Sequence, residues 1–294
     1  MVCQHRLKST VRPSSLPRLR VPLAAAWALR RLRELLELTP AAGPPRLESG
    51  EGKVPPRRLR ARAGAPGVQE YRQGGAQAAV ELAAGMRHAG GELGAQAAIL
   101  DFGCGAGRVL PHIAGLAPDA ACTGCDVDRA AIDWAAEHRP GLDWALSSFE
   151  PPLPFAAESF DLVYSVSVFS HLGRGPQDRW LAELARVLRP GGTALLSVHG
   201  PTAFEAFRSG RVRTGWCGGD AFTRGPLRER DFVFSPYAQS PWTAADLPGV
   251  GRDYGLAFHG HAFIRETWSR HLAVREIAVR ALTGWQDLVV ATRP

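Results

Sequence analysis

A chain of 294 residues, 45% apolar and 21% charged, is long enough for one large domain or two small ones and has the balance of a water-soluble globular protein. The net charge of +7 is concentrated at one end: residues 1–62 hold 14 Lys/Arg against 4 Asp/Glu, and the remaining 232 residues hold 21 against 24. The body is thus close to neutral, which argues against a nucleic-acid reader with a basic folded surface, and stable nucleic-acid binding is not expected.

The start, "MVCQHRLKSTVRPSSLPRLRVP", has no acid before Glu34. An organelle transit peptide, a disordered arm and a start placed too early all fit it. Leu23 to Leu38 reads as a helix of strong formers, and "TPAAGPPRLESGEGKVPP" follows as a linker. No apolar run here is long enough to span a bilayer. The division expected is therefore a basic extension over 1–62 and a folded domain over 63–294.

From Val68 the pattern alternates. "VQEYRQGGAQAAVELAAGMRHA" is a helix interrupted by Gly74-Gly75, and "AAILDF" a buried strand with "AGRVLPHIAGL" its helix. "ACTGCD", "LDWALS" and "FDLVYSVS" are further strands, with the helix "DRAAIDWAAEHR" between the first two. "QDRWLAELARVL" is a helix stopped by "RPGG", and "TALLSVHG" a fifth strand. Alternation of this kind implies an α/β fold, a parallel sheet covered by helices on both faces. Residues 200–260 break the rhythm and read as an irregular insertion of the kind that forms lids and binding loops. "AFIRETWSRH" restores helix, and apolar runs fill 272–281 and 285–292.

Five cysteines without framework spacing suit a reducing, cytoplasmic setting. Cys122 and Cys125 form a CxxC, but on a strand they face opposite sides, and plain buried thiols are expected rather than a metal site.

The stretch "ILDFGCGAGR" puts Gly103, Gly105 and Gly107 directly after a strand that ends in Asp101. A dinucleotide loop would need a third glycine where Arg108 stands, to admit a pyrophosphate at the helix N-terminus. Asp101 would repel a pyrophosphate and suits a ligand with an ammonium group. S-adenosylmethionine has an amino-acid end, a ribose and no phosphate. Asp126, at the end of the next strand, lies where a carboxylate binds ribose hydroxyls, and Val127 offers an apolar contact to adenine.

Together "ILDFGCGAGR", "GCDVD", "PPLPFAAESFDLVYSVSVFSHL" and "ELARVLRPGG" resemble the class I S-adenosylmethionine-dependent methyltransferases, in particular a bacterial small-molecule group. The resemblance implies a Rossmann-like, doubly wound seven-stranded sheet with one antiparallel strand, here "GWQDLVVATR". It implies that Asp101, Cys104 and the Gly103–Gly107 turn hold the methionine end of the cofactor, and that Ser148 and Phe149 contact the adenine. It also implies that Ser167 faces the sulfonium. Many relatives carry Asp or Asn where Ser148 stands. "EPPLPF" also suggests the PP(Y/F) motif of DNA amino-methyltransferases, but that motif follows the fourth strand, whereas these prolines precede it.

His171, just beyond the fourth strand, is the candidate general base; a capping or packing histidine is the alternative. His259, His261 and Trp216 are candidate acceptor contacts, with Tyr237 and Trp242 as further apolar lining. "FHGH" lacks an evident third ligand, so no metal is expected. The expected activity is methylation of a small molecule, at a hydroxyl of a sugar or secondary metabolite. A macromolecule methylase recruited by the basic arm and a non-catalytic cofactor-binding subunit are the alternatives.

Overall fold

A computed structural model describes residues 53–212, 225–237 and 253–294. The expected helix at Leu23–Leu38, Trp216 and Trp242 lie outside the described residues. A short helix α1 (Arg57–Arg62) precedes the long α2 (Val68–His88). The alternating unit then runs β1 (Ala98–Phe102), α3 (Leu110–Leu116), β2 (Ala121–Asp126), α4 (Arg129–His138), β3 (Asp143–Leu146), β4 (Phe160–Ser165), α5 (Arg174–Val187) and β5 (Leu188–Val198). After it come α6 (Pro201–Arg208), β6 (Phe232–Pro236), β7 (Gly255–His259), α7 (His261–Trp268), β8 (Ala273–Leu282) and β9 (Gln286–Thr292).

Seven strands form one sheet in the order β3-β2-β1-β4-β5-β9-β8. Pairings are parallel from β3 to β5, and β9 runs antiparallel to both of its neighbours. The strand order reverses beside β1, which opens a crevice at the carboxyl ends of β1, β2 and β4.

The sheet is apolar on both faces because helices cover both. On one face Leu100, Val163, Leu196 and Val289 pack with Trp180, Leu184 and Ile264 of α5 and α7. On the other, Ile99, Leu162, Leu195 and Val290 pack with Leu82, Met86 and Ile113 of α2 and α3. Cys122 joins the second cluster and Cys125 the first, so the CxxC faces two ways.

Three expectations need correction. The Gly74-Gly75 pair does not interrupt α2, which is continuous. The helix does stop just before "RPGG", but the fifth strand begins at Leu188 rather than Thr193, and the register with β4 shifts between Phe160 and Leu162 to absorb the extra residues. The stretch 200–260 is not structureless either. It holds α6 and the antiparallel pair β6–β7, whose alternation is too short to stand out in sequence. Leu172 bridges to Tyr254 and His199 to Phe258, which ties this pair to the carboxyl ends of β4 and β5.

Candidate active site

The crevice is a cavity of about 310 Å³ at that edge of the sheet. Its wall includes Asp101, Gly103, Cys104, Gly105, Asp126, Val127, Ser148, Phe149, Ser167 and His171. Nearly all of the motif residues picked out from sequence thus share one wall.

The turn after β1 is built from backbone in the left-handed region, with φ of 80° at Gly103, 54° at Gly105 and 74° at Gly107. The three glycines differ in what a Cβ would meet. At Gly103 it would come 2.2 Å from Val168 Cγ2, and at Gly107 2.5 Å from the Trp144 ring. At Gly105 it would project into open space. Gly107 is not among the residues of the cavity wall, and its lack of a side chain makes room for the Trp144 ring.

Asp126 fixes this turn from the neighbouring strand. Its Oδ2 accepts from the Gly105 N–H at 2.7 Å and its Oδ1 from the Asp128 N–H at 2.8 Å. Burial raises the Asp126 carboxyl above its usual range, against the pull of these N–H groups. Asp128 caps α4, accepting from Ala130 and Ala131 N–H, and also pairs with Arg62 of α1. The first helix, on the basic side of the compositional break, therefore supplies a wall: Leu59 is buried against Ala106 and Ala131, and Leu59, Arg62 and Gly64 border the cavity.

Asp101 is 2% exposed. Its Oδ2 makes no hydrogen bond, and burial pushes its carboxyl up to about 7, partly offset by Tyr164 beside it on β4. A buried carboxylate oxygen without a partner is costly unless a ligand supplies one.

His171 also borders the cavity. Its Nδ1 lies 2.9 Å from the Gly255 carbonyl and 2.9 Å from Tyr237 Oη. A carbonyl only accepts, so the proton sits on Nδ1 and Nε2 keeps its lone pair. Burial lowers this imidazole to about 4, which keeps it neutral near pH 7. Ser167 adopts φ 62°; its N–H donates to Ser197 Oγ at 2.7 Å, and its hydroxyl accepts from Gln286 Nε2 at 2.9 Å.

The model of a methyltransferase domain matches residues 99–192. That segment is similar to the class I S-adenosylmethionine-dependent methyltransferases. A malonyl-[acyl-carrier protein] O-methyltransferase of Methylococcus capsulatus is 33% identical over 144 residues, 48% of this chain and 49% of that protein. A phthiotriol/phenolphthiotriol dimycocerosates methyltransferase of Mycobacterium tuberculosis is 38% identical over 99 residues, 32% of this chain and 34% of that one. The chain thus spans half or less of the length of these curated relatives. A protein of Pyrococcus horikoshii OT3 shares the fold, with a TM-score of 0.52 at 17% identity over 76% of this chain and 91% of that one.

The methyltransferase domain fits S-adenosylmethionine on two counts. A Cβ at Gly105 would fill the space beside the turn, and Asp101 offers an unused acceptor to an ammonium group.

The candidate acceptor contacts in "FHGH" are not on the cavity wall. His259 is fully buried, with Nε2 3.0 Å from Gln177 Oε1, while His261 opens α7 with Nε2 2.7 Å from Asp287 Oδ2. One ends a strand and the next begins a helix, so they diverge. Among the described residues no group of three His, Cys, Asp or Glu is placed to hold a metal, and no helix is long and apolar enough to cross a membrane.

Tyr254, Tyr237, Leu172 and Trp180 line the cavity without having been singled out for binding roles, except Tyr237 as apolar lining. Tyr254 and Tyr237 reach it only because β6 and β7 pair, a long-range event that leaves no local signal. Arg108 also lines the wall; the sequence marked it only as a misfit to the dinucleotide loop.

Proposed function

We propose that the protein transfers the methyl group of S-adenosylmethionine to a hydroxyl of a small, largely apolar molecule. The observation that carries this reading is the mixed charged and uncharged lining of one cavity. Asp101, Arg108, Asp126, Asp128 and Arg62 border it, and Val166, Val168, His171, Leu172, Tyr237 and Tyr254 add uncharged wall. A secondary-metabolite alcohol fits such a wall better than a sugar, which would need many more hydrogen-bonding partners.

In this reading Asp126 holds the ribose hydroxyls, Val127 packs on the adenine, and Ser148 and Phe149 meet its edge. Asp101 takes the ammonium group, beside the backbone of Gly103, Cys104 and Gly105. Bound S-adenosylmethionine supplies an electrophilic methyl on a sulfonium, and positioning of the acceptor oxygen in line with it does most of the work. His171 Nε2 accepts the hydroxyl hydrogen. An oxygen gaining a methyl group becomes strongly acidic, so even this weakly basic imidazole can take its proton late in the transfer.

The test is methyl transfer from labelled S-adenosylmethionine to a panel of aromatic and aliphatic alcohols, sugars and a malonyl thioester, the last because of the Methylococcus relative's name. Turnover on alcohols that drops in His171→Ala, with unchanged affinity for S-adenosylhomocysteine, is the expected result. Turnover confined to the thioester or to sugars would overturn the acceptor assignment.

A further inference from the structure

Gln177 and His259 are buried polar side chains that stand outside the cavity wall. Gln177 lies near the start of α5, and His259 ends β7. Burying an amide or an imidazole is costly unless its polar atoms find partners. Here the partners lead to one short segment, the loop after β4 that carries His171.

The Gln177 amide Nε2 donates to the Phe169 carbonyl at 3.1 Å and to the Leu172 carbonyl at 2.9 Å. Those two residues lie on either side of His171 in the chain. With both amide hydrogens committed, Oε1 remains as the acceptor, and it stands 3.0 Å from His259 Nε2. His259 is therefore protonated at Nε2, and its buried Nδ1 carries the lone pair. Burial lowers this imidazole to about 3, so it keeps a single proton.

The same segment is held from β7. The Gly255 N–H donates to the His171 carbonyl and the Ala257 N–H to the Ser170 carbonyl, both at 2.9 Å. All four carbonyls from Phe169 to Leu172 are thus engaged, two by Gln177 and two by β7. His171 Nδ1 donates in turn to the Gly255 carbonyl. His259 belongs to the same strand as Gly255 and grips Gln177, so it joins the two halves of this frame.

We propose that Gln177 and His259 are positioning residues for His171: the amide, oriented by the imidazole, closes the hydrogen-bonded frame that fixes the His171 backbone and aims its ring. A space-filling apolar residue at either place would pack, but it would leave the Phe169 and Leu172 carbonyls or the amide orientation undetermined. The catalytic meaning of the frame rests on the reading of His171 as the proton acceptor.

NMR of the His171 ring tests it, in the full-length protein with S-adenosylhomocysteine, the resonances being assigned by their loss in His171→Ala. The titratable groups whose rings adjoin His171 are His199, Tyr237 and Tyr254, and all three stay in place in the variants. In the wild type the ring should remain neutral down to about pH 5.5, as the Nδ1–H tautomer. In Gln177→Met and His259→Phe it should mix tautomers, and its titration midpoint should rise by at least about one pH unit toward the ordinary value. His259→Gln, which keeps an N–H donor for Gln177, should retain the wild-type signature. Leu181→Ala, a cavity in the same helix, should lower the melting temperature and leave that signature unchanged. Wild-type behaviour of His171 in both Gln177→Met and His259→Phe would overturn the proposal, as would an equal change in Leu181→Ala. Should Gln177→Met fail to fold, the contrast between His259→Phe and His259→Gln decides. Undiminished turnover in His171→Ala would instead overturn the proton-acceptor reading, and the ring signature would still judge the frame.

Discussion

Three glycines two residues apart look equivalent in sequence, and the structure gives each a different reason. Gly105→Ala should leave the fold standing, since nothing lies within 4 Å of the added Cβ and the left-handed backbone costs only roughly 1–2 kcal/mol. Its binding of S-adenosylhomocysteine should be lost, because the methyl group enters the ligand's space. Gly103→Ala should do the reverse, lowering the melting temperature more, since its Cβ strikes Val168. Calorimetry and thermal unfolding of the pair check this, and equal behaviour of the two variants would contradict it. Asp101 carries a second prediction. Its carboxyl stands at about 7 without ligand, raised by burial first and by Asp126, and lowered by Tyr164 and Arg108. A bound ammonium favours the ionised form, so the carboxyl's pKa falls on binding and protons are released below about pH 7. Affinity should therefore weaken as pH falls from 7 toward 5.5, by no more than about tenfold per unit. His171, already neutral at about 4, stays silent over that window. Calorimetry in buffers of different ionisation enthalpy should register the released proton, and Asp101→Asn should abolish it.

At the scale of elements, the alternating unit from β1 to β5 was readable because each strand is short, apolar and followed by a helix with its own stop. The β6–β7 pair was not, for its partners lie about twenty residues apart with polar and glycine-rich chain between them. Its hold on the cavity is nonetheless specific. Gly255 lets β7 approach β6, and a Cβ there would fall 2.1 Å from the Ser235 carbonyl oxygen. The Gly255 carbonyl in turn receives the His171 Nδ1–H. Gly255→Ala should therefore pry the pair apart and release the imidazole, cutting kcat at least tenfold while changing cofactor affinity less than threefold, by analogy with other misplacements of a catalytic group. Parallel measurement of turnover and of S-adenosylhomocysteine binding tests it; equal losses in both would show that the pair supports the whole cavity. The conservative Tyr237→Phe, which removes only the hydroxyl 2.9 Å from His171 Nδ1, should reproduce the smaller part of the turnover loss without the instability.

For the whole molecule, the break in charge near residue 62 falls at the end of helix α1, which spans Arg57–Arg62. Helix α1 is basic and so resembles the extension, yet Leu59 is 4% exposed and Arg62 pairs with Asp128 beside the cavity. A chain starting at residue 53 should keep full affinity for S-adenosylhomocysteine. A chain starting at residue 64 should stay folded through its two main apolar clusters and lose affinity several-fold, since one wall is gone. Equal affinity of the two chains would remove α1 from the site. By itself the sequence determined the α/β class, the strand that carries the glycine turn, and the two acids that flank it. Those follow from local patterns of apolar spacing, and from a turn whose backbone angles only glycine accepts readily. Only the tertiary structure decided that His259 and His261 point into the core and toward Asp287, and that Tyr237 and Tyr254 reach the cavity. Each of these depends on which elements pack together across long stretches of chain, and side-chain direction after such packing is not encoded in any local period.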